Sequence, residues 1–312
     1  HHSPRRHVRA ETAPRERLQR GDLIFPAVAV IYCLLVTSLD GPRLLPCAFG
    51  AASLLLLGMN ARVRSLVRSI TPYLLFVLAY DVVRYGRQFL FSAERTNSCA
   101  MQVLDRRLFG FGTGVSPSEF VASHHAPFLD LFFAIPYFIF VYLVLGYALY
   151  LFRTDRPRME RYLWAFAVTN ALGFCLWFAL PTAPPWYVAS HGCLVDAAAA
   201  PSAGALTRVD QLLGIGYFHF FYGRSVYVFG AMPSLHCAYP MVGLLTAWPH
   251  VKTSGRLAHI LYATSMFLAS VYLLHHWVVD GLVGFVVAAL SVALVSRLLP
   301  DRSEGLRPLA PL

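Results

Sequence analysis

Long apolar stretches separated by short polar segments recur along the whole chain. Most of them approach the roughly 20 residues that a membrane-spanning helix requires. Hydrophobic residues make up 57% of the sequence and charged residues 13%, about half the share of charged residues in soluble domains. We therefore predict an all-α, polytopic membrane helix bundle of about eight spans. The predicted spans are 23–39, 44–59, 66–83, 128–152, 161–180, 235–248, 257–274 and 277–298.

The placement of basic residues predicts the orientation of these spans. With a cytoplasmic N-terminus, 18 of the 26 Lys and Arg residues fall in cytoplasmic tails and short loops. The other eight are spread over far longer segments on the opposite side, which is the positive-inside pattern. We therefore expect both termini in the cytoplasm, with a basic tail at 1–20, a transmembrane domain at 21–298 and a C-terminal tail at 299–312.

The formal net charge of +10 does not indicate a nucleic-acid-binding protein. Its basic residues form short clusters between apolar stretches rather than one patch. The third predicted span, 66–83, is the least regular, because Arg68 and Asp81 bracket it, and an interfacial helix is the alternative there.

Two segments, 84–127 and 181–234, are too long to be simple connectors. On the predicted topology both face away from the cytoplasm, and their aromatic content predicts ordered structure at the membrane surface. The six cysteines show no CxxC spacing, so neither a zinc site nor a disulfide framework is indicated. Cys99 and Cys193 lie in these two segments, and the sequence leaves open whether they pair.

Residues with chemical potential cluster at the predicted outer face. His236 follows Pro233 and Ser234 at the entry of the sixth span, where a helix N-terminus offers free N–H groups to an anion. His276 and Asp280 are spaced i, i+4 at the entry of the last span and therefore share one helix face. A carboxylate beside an imidazole fixes its tautomer, and an ionisable residue inside an apolar span is a functional candidate.

Two imidazoles and one carboxylate can carry out phosphoryl transfer without a metal or other cofactor. One imidazole attacks phosphorus, and the other protonates the departing oxygen. Four alternatives remain open on the residues alone. They are a purely structural His–Asp pair, a hydrolase with Ser234 as nucleophile, a metal site of His236, His276 and Asp280, and a transporter with a proton relay.

The motifs resemble those of a known group of membrane enzymes. P-S-L-H at 233–236 and H-x-x-x-D at 276–280 are similar to the second and third signature motifs of the type-2 phosphatidic acid phosphatase superfamily. Within it, the order and spacing over 180–284 resemble the inositol phosphorylceramide synthases. The further stretches that carry this resemblance are L-P-T-A-P-P-W-Y at 180–187, L-T-R-V-D-Q-L-L-G-I at 206–215, V-F-G-A-M-P-S-L-H at 228–236, Y-L-L-H-H-W-V-V-D at 272–280, Y-D-V-V-R at 80–84 and L-F-G at 108–110.

This resemblance implies a six-helix phosphatase-like core with additional N-terminal helices, and it implies a reaction. Inositol phosphate would pass from phosphatidylinositol to ceramide, with release of diacylglycerol, on the extracytoplasmic face. His276 would be the nucleophile that becomes a phosphohistidine, Asp280 its orienting partner and His236 the acid and base. A lipid phosphatase that uses the same three residues and water as the acceptor is the alternative function.

The chain departs from the phosphatase pattern in its basic residues. The stretch 180–187 has no basic residue, and Ser270 stands where the third motif carries an arginine. The phosphate must therefore find positive charge elsewhere, and an arginine fork suits a phosphodiester. We favour Arg84, which follows Asp81 at the outer end of a span. The expected substrate-binding residues are Arg84, Arg87, Arg208, Ser234, His275 and Trp186, with Arg224 as a further candidate for the phosphate.

Overall fold

The structure is a computed structural model that describes residues 18–300, so almost all of the predicted tails 1–20 and 299–312 lies outside the described residues. Within this range the chain is helical, with isolated β-bridges but no β-strand, which confirms the predicted all-α class. The described residues fall into two compact units, and the boundary between them lies between Thr71 and Pro72, inside the third helix.

Each of the eight predicted spans coincides with a helix. The third is longer than predicted, because arginines that end an apolar stretch do not end a helix. The eight helices are α1 (Arg20–Asp40), α2 (Leu44–Leu55, continued by a 3-10 turn at Leu56–Gly58), α3 (Ala61–Leu90), α6 (Pro127–Thr154), α7 (Arg156–Ala179), α11 (Leu235–Ala247), α12 (Thr253–Tyr272) and α13 (Val278–Leu298).

Five of these helices are long and apolar enough to cross a membrane, namely α1, α3, α6, α7 and α13. Helix α11 and the stretch Leu44–Gly58 are apolar but shorter. Helix α12 has 20 residues, but no 18-residue stretch of it is as apolar as the most apolar stretch of each of these five. Length and composition therefore support at least five of the eight predicted spans.

The first unit is held by a buried ion pair. Helix α1 packs against α2. The carboxylate of Asp22, at the start of α1, accepts hydrogen bonds from the guanidinium groups of Arg64 and Arg68 in the first part of α3. Because a buried carboxylate requires a partner, these two arginines satisfy Asp22 rather than serving only as markers of orientation.

Helix α11 lies at the centre of the second unit. It packs against α6, α7, α12 and α13, and its residues Cys237, Ala238 and Val242 are fully buried. The short helix is thus enclosed by longer ones, so its N-terminal residues are held within the bundle.

The two long segments of the chain are ordered, as predicted from their aromatic content. A disulfide between Cys99 and Cys193, whose Cα atoms are 5.2 Å apart, links them, and this separation suits the bond. The pairing that the sequence left open is therefore present. The segments contain α4 (Cys99–Phe109), α5 (Pro117–Ser123), α8 (Pro185–His191), α9 (Leu206–Leu213) and α10 (Tyr217–Tyr222).

Candidate active site

Three main-chain segments meet around Thr182, in the proline-rich stretch that follows α7. The Thr182 N–H donates to the carbonyl of Phe229, and the Thr182 carbonyl accepts from the N–H of Ala231. On the other side, the Asn97 N–H donates to the Pro181 carbonyl. These contacts pin the loop before α11 to the end of α7, and so fix the carbonyl of Ala231.

The start of α11 follows directly. The Ser234 hydroxyl accepts from the N–H of Cys237, so Ser234 caps the helix. Its side chain is fully buried, and it does not line the cavity described below. Ser234, which the sequence offered as a substrate-binding residue or a hydrolase nucleophile, is thus a helix cap in the structure. The next residue but one, His236, lies in the first turn of α11.

Helix α13 approaches this turn through its main chain. The Ser234 N–H donates to the Asp280 carbonyl over 2.9 Å. A Cβ atom placed on Gly284 would lie 2.3 Å from the Ser234 carbonyl oxygen, so only glycine permits this approach. The contact sets the distance between the helices that carry His236 and Asp280.

The turn between α12 and α13 carries the other histidines. The N–H groups of His275 and His276 both donate to the carbonyl of Ser270. Leu274 has a φ of +62°, in the left-handed region that costs a branched residue roughly 1–2 kcal/mol. This tight turn directs both imidazoles back towards α11.

The structure brings the two predicted catalytic imidazoles together. Nδ1 of His236 lies 3.2 Å from Nε2 of His276, within hydrogen-bonding distance. The His236 ring also stacks on Tyr137, with centroids 4.6 Å apart, and contacts Phe140 at 5.1 Å. Aromatic walls thus hold His236 while its polar edge meets His276.

The orientation of His276 is set by a group that the sequence did not indicate. Its Nδ1 lies 2.8 Å from the carbonyl oxygen of Ala231. Because a carbonyl only accepts, Nδ1 carries the hydrogen, and Nε2 of the neutral ring keeps a free lone pair. The ring is therefore held in the tautomer that a nucleophile needs.

Asp280 lies close to His276 but does not hydrogen-bond it in this state. Its Oδ2 is 3.8 Å from Nδ1, beyond a hydrogen bond, and accepts the N–H of Trp277 at the start of α13 instead. Its Oδ1 is buried without a partner. The carboxylate therefore lies beside His276 without a direct hydrogen bond, and it would interact with a protonated imidazole mainly through charge.

The predicted substrate-binding residues lie in different places. Trp186 and His275 line the same cavity as His236 and His276. Nε2 of His275 donates to the carbonyl of Ala203 over 3.0 Å, and burial lowers the pKa of His275 to about 3. His275 is therefore a neutral ring that is anchored through one nitrogen.

The arginines lie outside the cavity wall. Arg208 donates through Nε and Nη2 to the carboxylate of Asp130, at 3.0 and 2.7 Å. Arg84 lies 3.7 Å from Asp81 and remains about half exposed. Arg87 is exposed in the last turn of α3, and Arg224 covers the ring of Phe220 at 3.6 Å. Of the four, Arg224 is nearest in sequence to the cavity, directly before the lining residue Ser225, and Arg84 lies one helical turn after the lining residue Tyr80.

The cavity has a volume of about 290 Å³ and is largely aromatic and aliphatic. Its lining contains His236, His275 and His276 but no Asp, Glu, Lys or Arg among residues 18–300. No group of three His, Cys, Asp or Glu side chains in the same range is arranged to hold a metal ion. A reactive polar centre therefore opens into a space suited to lipid.

The two histidines thus lie side by side at an apolar cavity within the helix bundle. Residues 100–294 match the PAP2 superfamily, and the chain belongs to that family. It is a multi-pass membrane protein.

The chain is similar to three sphingolipid synthases over much of its length. It is 28% identical to a phosphoinositol dihydroceramide synthase of Bacteroides thetaiotaomicron over 84% of this chain and 87% of that protein. It is 31% identical to an inositol phosphorylceramide synthase of Candida albicans over 62% and 42%. A catalytic subunit of inositol phosphorylceramide synthase from Schizosaccharomyces pombe is 26% identical over 82% and 60%. No solved structure shows significant similarity.

Proposed function

We propose that this chain is a lipid phosphotransferase that moves inositol phosphate from phosphatidylinositol to the primary hydroxyl of ceramide and releases diacylglycerol. The synthases to which it is similar act in bacteria and fungi, and the bacterial one aligns along most of both chains. The observation that carries the mechanism is the 3.2 Å contact between His236 and His276 in a cavity lined by apolar side chains.

In the first half-reaction, Nε2 of His276 attacks the phosphorus of the donor. A P–N bond forms and the bond from phosphorus to the diacylglycerol oxygen breaks. His236, protonated beside the bound phosphate, gives one proton to that oxygen and becomes neutral. The Ala231 carbonyl and the nearby Asp280 carboxylate stabilise the positive charge on His276. The product is a phosphohistidine that carries inositol.

In the second half-reaction, the ceramide hydroxyl attacks the same phosphorus. His236 now accepts the hydroxyl proton, the P–N bond breaks and His276 returns to its neutral form. The hydrogen bond from His236 occupies Nε2 of His276, so the substrate phosphate must enter between the two rings and break this bond before Nε2 can attack. His236 lies in the first turn of α11, and a helix N-terminus favours an anion nearby.

Transfer to a lipid alcohol, rather than to water, is favoured by the apolar lining. Phe140, Phe221 and Tyr222 lie in the cavity wall, and Asp210 holds the aromatic helix α10 by accepting the N–H groups of Phe218 and His219. Apolar side chains over the reactive centre exclude water from the phosphohistidine. A phosphatase would instead need water to reach the phosphohistidine.

We assign the positive charge for the phosphate to Arg84. The guanidinium of Arg208 is already committed to Asp130, whereas Arg84 has only a long contact with Asp81. Arg84→Ala should raise the KM for phosphatidylinositol by about tenfold, the cost of one charge-assisted hydrogen bond. Arg62→Ala, at an exposed arginine on the same helix, is the matched control. Unchanged kinetics for Arg84→Ala would move the role to another arginine.

The active site should face away from the cytoplasm, and both termini should lie inside it. The disulfide between Cys99 and Cys193 supports this orientation, because disulfides persist in oxidising compartments. Fluorescent-protein fusions to each terminus test it, since the fluorophore should be protected from an external protease in intact cells. Loss of fluorescence after protease treatment would mean that the terminus lies outside the cell, which contradicts the proposed orientation.

The decisive assay uses purified protein in mixed micelles with labelled phosphatidylinositol and ceramide, and mass spectrometry of the products. Inositol phosphorylceramide in the wild type, and none with His276→Ala, is expected. Free inositol phosphate as the main product would instead identify a hydrolase that uses the same residues.

A further inference from the structure

A second cavity, of about 210 Å³, adjoins the catalytic one and is not explained by the chemistry of the histidines. Phe140, Val144 and Tyr239 belong to the lining of both. These three residues therefore form the boundary between a catalytic chamber and what we call the inner lobe. The other residues of the inner lobe are Leu143, Tyr147, Tyr162, Pro240, Gly243, Ala258, His259 and Tyr262.

The inner lobe runs along the helices, away from the histidines. Gly243 lies eight residues after Leu235 on α11, which places it about 12 Å further along the axis at the usual rise per residue. Tyr147 lies seven residues after Phe140 on α6, which corresponds to about 10 Å in the same way. The lobe is thus elongated in the direction in which a lipid chain extends from the membrane surface.

The lining of the lobe suits hydrocarbon. Among the described residues it contains no Asp, Glu, Lys or Arg, and most of its surface is aromatic or aliphatic. Interiors of helix bundles are packed almost as densely as crystals, so an apolar space of this size is a site to be filled. Leu143, at its edge, is 42% exposed, which gives a chain a lateral way in between α6 and α12.

We propose that the inner lobe binds one hydrocarbon chain of the acceptor lipid, and that it sets the chain-length preference of the enzyme. This inference rests on the proposed transfer to ceramide. The lobe begins at Phe140, whose ring is only 5.1 Å from that of His236. The apolar wall therefore starts next to the base that activates the acceptor hydroxyl.

A ceramide fits this geometry better than the donor does. Its reacting hydroxyl is separated from its chains by few polar atoms, so a chain enters the lobe while the hydroxyl reaches His236. In phosphatidylinositol, the glycerol and its ester groups lie between the reacting phosphorus and the hydrocarbon. The donor chains are therefore expected at the wider catalytic chamber rather than in the inner lobe.

Gly243 allows the lobe to be filled with little other change. A Cβ on Gly243 would lie 3.7 Å from Cε1 and Nδ1 of His259, an ordinary contact, so Gly243→Ala should be tolerated. The longer side chain of Gly243→Leu would extend into the lobe. Alanine and leucine both favour a helix more than glycine does. Ala258→Phe narrows the lobe from the facing helix, α12, and is an independent second variant.

A matched control is available on α6. Gly146 is exposed, and a Cβ atom at this position would meet no other atom within 4 Å. Gly146→Leu therefore adds the same side chain to a spanning helix outside both cavities. All variants are purified in the same detergent, and their folding is compared by thermal unfolding. Initial rates are then measured with ceramides in which the N-acyl and sphingoid chains are shortened separately.

With Gly243→Leu, kcat/KM for long-chain ceramides should fall at least about tenfold, as when a hydrophobic pocket loses room for even one methylene. Short-chain ceramides should be used at wild-type rates. Ala258→Phe should show the same loss with long-chain ceramides as Gly243→Leu. Gly146→Leu should use all ceramides as the wild type does. A parallel series of phosphatidylinositols with shortened acyl chains should show no change in preference.

Two results would overturn the inference while leaving the proposed function intact. An unchanged ceramide profile in both lobe variants would mean that no acceptor chain lies there. A changed profile for phosphatidylinositol alone would assign the lobe to the donor. If the wild-type protein makes no inositol phosphorylceramide at all, the proposed function itself is wrong, and this inference falls with it.

Discussion

Nδ1 of His236 lies 3.2 Å from Nε2 of His276, although 40 residues separate the two histidines in the chain. The tautomer of His276, fixed through Nδ1 by the Ala231 carbonyl, makes its Nε2 the acceptor and His236 Nδ1 the donor. The pair therefore shares one proton in its neutral state. This asymmetry assigns different tasks to two chemically identical side chains.

The two tasks can be separated by the choice of donor. His276→Ala should abolish transfer from every donor, because no P–N bond can form. His236→Ala should lower transfer from phosphatidylinositol by about 10²- to 10⁴-fold, the usual worth of a general acid. With an inositol nitrophenyl phosphate, whose leaving group needs no proton, the release of nitrophenolate by His236→Ala should largely recover.

His124→Ala serves as the control, because His124 is exposed, lies outside the cavity and contacts the neighbouring residues Phe120 and Ser123. Nitrophenolate release is followed by absorbance, and the phosphohistidine by acid-labile label on the protein. Activity of His276→Ala with the nitrophenyl donor would refute the assignment of the nucleophile.

The position of Asp280 predicts a smaller effect than in a hydrogen-bonded triad. Loss of the carboxylate in such a triad costs about 10⁴-fold, because the imidazole adopts the wrong tautomer. Here the Ala231 carbonyl holds the tautomer, and the Asn side chain can still accept from the Trp277 N–H. Asp280→Asn should therefore lower kcat by about 10- to 100-fold, as loss of an outer orienting group does.

The matched control for this change is Asp196→Asn, since Asp196 is an exposed aspartate outside the cavity. The kcat is measured at saturating donor and acceptor. A wild-type kcat for Asp280→Asn would mean that the His–Asp pair has only a structural role. A 10⁴-fold loss would mean that the carboxylate accepts a hydrogen bond from Nδ1 of His276 in the reacting state.

The contact between Gly284 and the Ser234 carbonyl predicts that a single methyl group disturbs the site. A Cβ there would lie 2.3 Å from a main-chain oxygen, so the two helices must separate. A displacement of about 1 Å can cost roughly 10²-fold in rate. Gly284→Ala should therefore reduce kcat by about that factor and lower the thermal unfolding temperature.

Gly146→Ala provides the comparison for this variant, because its added methyl group meets no atom within 4 Å. Both proteins are assayed at the same detergent and lipid concentration. Equal activity of Gly284→Ala and the wild type would show that the helix contact does not position the histidines.

The sequence predicted the helices and the proximity of His236, His276 and Asp280, for a physical reason. Apolar spans and the i, i+4 spacing of His276 and Asp280 are local patterns, and local patterns survive folding. The length of helix α3 was underestimated, because Arg62 and Arg64 interrupt the apolar pattern but do not interrupt the helix.

What the sequence could not predict depends on main-chain atoms and distant pairs. The Ala231 carbonyl that holds His276 has no side-chain signature. The pairing of Arg208 with Asp130 joins positions 78 residues apart, so a single sequence does not distinguish Arg208 from an arginine that is free to bind phosphate. Asp105 went unnoticed beside Arg106 and Arg107, although its side chain is fully buried.

Asp105 predicts a pH dependence of stability. Its Oδ1 accepts the N–H of Val279 at the start of α13, over 3.3 Å, and its Oδ2 is buried without a partner. Burial raises the pKa of Asp105 to about 6, so the folded protein holds a proton that the unfolded chain, with a carboxyl pKa near 3.9, has released. The stability that this proton contributes is complete below about pH 4 and is lost as the pH rises through 6.

Asp105→Asn keeps an acceptor for the Val279 N–H and removes the charge. At pH 8 it should therefore be more stable than the wild type, by up to about 3 kcal/mol, and this advantage should shrink to about 1 kcal/mol at pH 4.5. Thermal unfolding in detergent at both pH values measures this, with the exposed carboxylate variant Glu94→Gln as the control. If Asp105→Asn lost stability equally at both pH values, Asp105 would act through hydrogen bonding alone, and no proton would be bound there.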